Sequence, residues 1–100
     1  HAQHALAKMQ MPTFGGMLSF DVGNANKALK VLDSLKLACF AASLGGVRTT
    51  TQIPASMAFL DIPEAERRQM GISDGMIRVS VGIEDIDDLI EDFDRALALV

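Results

Sequence analysis

Met76-Ile77-Arg78-Val79-Ser80-Val81-Gly82 is the stretch from which the fold reads most directly. Ile77, Val79 and Val81 alternate with Met76, Arg78 and Ser80, the period of two that a strand shows when one face lies on a core. Ser73-Asp74-Gly75 supplies a turn ahead of it. Behind it, Ile86, Leu89, Ile90, Phe93 and Leu97 recur at spacings of three and four, which predicts an amphipathic helix over about 85–99. The early acids of that helix meet the positive end of its dipole.

Working back toward the N-terminus, Pro63 suits the first turn of a helix over 64–70, which Gly71 ends. The threonine-rich run 48–53 reads as extended, limited by Pro54, and Leu37 to Ala42 is continuously apolar and reads as a central strand. Asn24 is a plausible cap for a helix through residue 35, with Ala25, Ala28, Leu29, Leu32 and Leu35 on one stripe. Met17 to Val22 alternates as a further strand, and 2–10 forms a short helix stopped by Pro12. The order α-β-α-β-β-α-β-α predicts an α+β two-layer sandwich in a single domain, residues 1–100. Its sheet is open and mainly antiparallel or mixed, with the helices packed on one face. The expected core is Leu18, Phe20, Leu29, Leu32, Ile77, Val79, Val81, Leu89, Ile90 and Phe93.

Composition narrows the function classes. One hundred residues, 49% of them apolar, fit one globular domain rather than a disordered chain. Nine basic and thirteen acidic residues give a formal charge of −4, with no basic stripe for nucleic acid. Glu84, Asp85, Asp87, Asp88, Glu91, Asp92 and Asp94 crowd the last helix and read as a solvated face. No apolar run approaches the ~20 residues of a membrane span. A lone Cys39 forms no internal disulfide and fits a reducing cytoplasm. The chain opens at His1, so a processed product, an expression remnant and a piece of something longer are all open readings.

Few side chains invite chemistry. His1 and His4 lie in the tail, Cys39 sits in an apolar run as an inert thiol, and the glycine pairs 15–16 and 45–46 lack phosphate-loop spacing. Arg78 differs, because a mid-strand guanidinium cannot lose its charge and must find anions or acceptors. Its planar fork suits a carboxylate, although an edge position or a structural ion pair also accounts for it. Ser43 begins Ser43-Leu44-Gly45-Gly46, where a hydroxyl and backbone freed by glycine can hold an anion. A plain strand end explains it equally well.

Phe14-Gly15-Gly16-Met17-Leu18-Ser19-Phe20, Ser43-Leu44-Gly45-Gly46-Val47, Pro54-Ala55-Ser56-Met57, Gly71-Ile72-Ser73-Asp74-Gly75 and Ile77 through Asp85 together resemble the small, C-terminal domain of the Cys/Met-metabolism pyridoxal-phosphate enzymes. That family includes cystathionine γ-synthase, cystathionine lyases, methionine γ-lyase and the O-acylhomoserine sulfhydrylases. The resemblance implies that Ser43 and Arg78 bind the α-carboxylate of an amino-acid substrate. It also implies that the cofactor pyridoxal phosphate, its Schiff-base lysine and its other ligands belong to a preceding large domain. Lys8, Lys27, Lys30 and Lys36 match none of those, so no cofactor is expected on this chain alone and its activity is expected to be incomplete.

Ala42 stands before the serine where members that act on cystathionine often carry an acid, which argues against a strict cystathionine preference. Ala58-Phe59-Leu60, Arg48 and Met9 also depart from the pattern. Two accounts stay open. One is a natural enzyme's C-terminal domain whose partner is its own large domain. The other is a non-enzymatic scaffold, excised or resurfaced, that associates with itself or an engineered partner through an apolar patch around Met9, Phe59 and Leu60.

Overall fold

The computed structural model describes residues 1–100. Helix α1 (His4–Gln10) buries no residue, and Met11 leaves it in extended backbone, as the following Pro12 requires. Strand β1 (Met17–Asp21) follows, then helix α2 (Ala25–Ser34), whose cap is Asn24 accepting from the Lys27 amide at 3.0 Å. Strands β2 (Cys39–Phe40) and β3 (Thr50–Gln52) are short. A 3-10 turn (Pro54–Ser56), helix α3 (Glu64–Gln69), strand β4 (Met76–Ser80) and helix α4 (Ile86–Leu97) complete the chain.

The sheet runs β1-β4-β3-β2. Strand β4 pairs antiparallel with β1 on one side and β3 on the other, while β2 joins β3 in parallel, so the sheet is open and mixed. Ile77 and Val79 face Ala28, Val31, Leu32 and Ala96 of α2 and α4 in one cluster, and that face carries the core. Helices α1 and α3 bury nothing, so the helical layer consists of α2 and α4 alone.

Two expectations need correction. The apolar run 37–42 yields only a two-residue strand, because the Lys36, Leu37 and Ala38 amides are drawn to the Asp92 carboxylate and the chain turns at Ala41, whose carbonyl accepts from Ser43. Leu18, Leu29 and Ile90 are about half exposed rather than core. Leu18 and Ile90 line an open apolar groove of about 290 Å³ between edge strand β1 and α4. The interior is instead completed by Val31, Ile53, Ala55, Ala96 and the buried threonines Thr49 and Thr51. Phe59 is half-buried, its amide donating to the Pro54 carbonyl, while Met9 and Leu60 are exposed.

Candidate functional site

Arg78 points away from the core because its β4 neighbours Ile77 and Val79 take the helical side. In the sheet it lies between Ser19 of β1 and Gln52 of β3. Gln52 is 2% exposed, and its side-chain amide lies against the face of the guanidinium; with its oxygen turned inward that oxygen is 2.7, 2.9 and 3.0 Å from Nη2, Nη1 and Nε. Nη2 also reaches the Ser43 carbonyl at 3.5 Å. The chain's ion pairs use Arg67, Arg68 and Arg95, never Arg78. Arg78 is therefore a half-buried cation with neutral neighbours and no carboxylate paired to it.

Ser43 and Arg78 converge although strand β3 separates β2 from β4. Strand β3 lies between β2 and β4, and the turn after Phe40 carries Ser43 back across it. The Ala41 amide donates to Thr51 and the Thr50 hydroxyl donates to the Ser43 carbonyl at 3.0 Å. Gly45 takes φ 72°, a left-handed conformation that favours glycine, and its amide donates to the Ser80 hydroxyl at 2.8 Å. Thr50 and Arg78 both reach Ser43 at its carbonyl and its amide donates to Ala41, which leaves the exposed hydroxyl uncommitted. Ala42, Ser43, Leu44, Gln52, Met57, Ala58 and Arg78 thus line one open cleft of about 560 Å³. A cation, a hydroxyl and an apolar rim share that cleft.

The acids of the last helix depart from a uniformly solvated face. Asp92 is 5% exposed and accepts from the amides of Lys36, Leu37 and Ala38 at 2.8, 2.9 and 3.0 Å, with Arg95 paired beside it. Burial alone would raise its carboxyl, but the three amides and the arginine outweigh that and hold it below the ordinary range. The Thr49 hydroxyl and amide likewise lower the Glu84 carboxyl. Ser73 and the Gly23 amide do the same at Asp21. Spacing could have flagged Asp92, since it lies three residues after buried Leu89 and four before buried Ala96, on the helix's inward stripe.

Other candidates stay apart from this cleft. His4 stacks against Phe14 with ring centroids 5.5 Å apart, and no group of three metal-ligating side chains forms. Cys39 is half-buried and unbridged. No helix is long and apolar enough to cross a membrane.

An open, mixed α+β sandwich with a guanidinium in a cleft on its sheet is the class of domain that the fold defines. The family model for Cys/Met metabolism PLP-dependent enzymes matches residues 1–98, and the chain belongs to that family. It is 48% identical over 97 residues to a cystathionine gamma-lyase of Bacillus subtilis, covering 97% of this chain and 26% of that protein. Against a cystathionine beta-lyase of Coxiella burnetii it is 49% identical over 98 residues, with coverage of 97% and 25%. A crystal structure of cystathionine gamma-lyase from Lactobacillus plantarum, complexed with L-serine, superposes with a TM-score of 0.86 at 38% identity over 98% of this chain and 26% of that one. The chain therefore spans about a quarter of the length of these relatives.

The residues present do not fit a pyridoxal-phosphate site. No lysine lines the cleft, Lys30 Nζ is bonded to the Leu99 carbonyl at 2.7 Å, and the sequence contains no tyrosine to stack on a pyridine ring.

Proposed function

We propose that this chain is the C-terminal domain of a pyridoxal-phosphate-dependent sulfur amino-acid lyase or synthase, and that its cleft receives the substrate's α-carboxylate. The observation that carries the reading is Arg78, a half-buried cation with only neutral partners, in one cleft with the Ser43 hydroxyl. In this reading the guanidinium grips the carboxylate and buried Gln52 backs it from one face. The hydroxyl of Ser43 donates to a carboxylate oxygen, and the apolar rim of Ala42, Leu44, Met57 and Ala58 excludes water.

The cofactor and the lysine that carries it come from the remainder of a longer polypeptide, which is this domain's proposed partner. Met9, Ile83 and Val47, at 84%, 79% and 71% exposure, are apolar surface for such a partner to cover. Unbridged Cys39 suits the cytoplasm as the proposed location. Ala42 leaves the rim without an acid, in keeping with a preference that is not strictly for cystathionine.

The test is Arg78→Lys in the complete enzyme. Replacing a fork by a point charge forfeits a charge-assisted bond worth about 1.5–3 kcal/mol. KM for the amino acid should rise roughly 10- to 100-fold while kcat changes less. An unchanged KM contradicts the reading.

A further inference from the structure

The loop that carries Ser43 does not rest on the sheet by packing alone. Thr49, 0% exposed, holds its far end. Its amide donates to Glu84 Oε1 and its hydroxyl to Glu84 Oε2, each at 2.6 Å, and the hydroxyl accepts from the Gly82 amide at 2.9 Å. The Ile83 amide donates to the Val47 carbonyl at 2.9 Å, and the Gly45 amide to Ser80 at 2.8 Å. Every one of these ties runs from the 45–49 segment to residues 80–84, the direct continuation of the strand that bears Arg78. At Gly82 the fit is closest: a Cβ there would collide with the Val47 carbonyl oxygen and lie 2.6 Å from the Arg48 carbonyl carbon.

None of Thr49, Gly82 and Glu84 lines the cleft. Their geometry nevertheless sets the distance between its two polar groups, because the Ser43 loop is short and both its ends are fixed. Thr50 and Thr51 hold one end through Ser43 and Ala41, and the Glu84 clamp holds the other. We propose that Glu84, acting through Thr49, is the positioning residue of the carboxylate site. It holds the Ser43 hydroxyl at the reach from Arg78 that lets one carboxylate engage both. This rests on the carboxylate reading above and adds a residue that touches no ligand.

The experiment uses the complete enzyme and compares Thr49→Val, which keeps shape but removes the hydroxyl, with Thr49→Ser, which restores it. Misplacement of a binding group by a fraction of an ångström should raise KM roughly tenfold in Thr49→Val with kcat largely held, and Thr49→Ser should return it to the parent value. A merely structural clamp would lower the melting temperature and the active fraction, and so kcat per total protein, without moving KM. That result overturns the proposal. Should Thr49→Val fail to fold, Glu84→Gln decides by the same readout, since it keeps an acceptor for the Thr49 amide but loses the anionic partner of the hydroxyl. Arg78→Lys, run alongside, separates the two ideas. If it raises KM while the clamp variants do not, only the clamp falls; if it leaves KM unchanged, the carboxylate reading falls first.

Discussion

Asp92 carries more of the structure than any other polar side chain. Its carboxylate satisfies three consecutive amides that would otherwise end strandless beneath α4, and Arg95 shares the remaining lone pairs while donating to the Ser34 carbonyl at 2.8 Å. Asp92→Ala strands the Ala38 amide in the interior and leaves those of Lys36 and Leu37 to water. The expected loss is about 2–4 kcal/mol, at about 1–3 kcal/mol for each buried unsatisfied group, read by urea denaturation. A loss under about 0.5 kcal/mol would mean that the loop finds other partners. Arg78 and Ser43 were legible as candidates because their chemistry conflicts with their setting, a charge inside an alternating strand and a hydroxyl before two glycines. Gln52 was not legible: a buried amide facing the guanidinium leaves no mark on a threonine-rich run. The partnership of Glu84 with Thr49 spans thirty-five positions and no local pattern encodes it.

Elements with a strong period were readable to within a residue or two. Strand β4, helix α2 with its Asn24 cap and helix α4 follow their apolar spacing. The run 37–42 misled because continuous apolarity indicates burial without specifying a ladder, and only Cys39 and Phe40 pair with β3. Exposure of Leu18 and Ile90 has a similar cause: periodicity locates a face but cannot say whether a second element covers it. Helix α4 is held to the sheet partly by Phe93, half-buried and edge-on to Phe20 with centroids 6.4 Å apart. Since only part of the ring leaves water, Phe93→Ala should cost about 2 kcal/mol, below the 3–5 kcal/mol of a fully buried phenylalanine. Ile77→Ala, at 0% exposure, should cost at least as much, about 2–5 kcal/mol. Denaturation midpoints of the two variants compare them directly; a larger loss at Phe93 than at Ile77 would place the core closer to α4 than the cluster indicates.

On the scale of the whole molecule, three carboxylates hold separate parts of the fold through hydrogen bonds made to their ionised forms: Asp21, Glu84 and Asp92. Each titrates below its ordinary value when folded. Their stabilisation is therefore complete above the unfolded carboxylate range, near pH 4, and is lost as pH falls through the lower folded values. Melting temperature should change little between pH 7 and 5 and fall steeply below about pH 4. A melting temperature that holds to pH 2.5 would show that these groups stay unprotonated or unimportant.

The central claim, that Arg78 receives a carboxylate, is tested most directly by pairing a change in the protein with a change in the ligand. Affinity of the complete enzyme for a substrate amino acid is compared with that for its α-carboxamide, in the parent and in Arg78→Gln. In the parent, losing the carboxylate's charge should weaken binding roughly 10- to 100-fold, while in Arg78→Gln the two ligands should bind within a few-fold of each other. An equal loss in both proteins would place the carboxylate elsewhere and contradict the account.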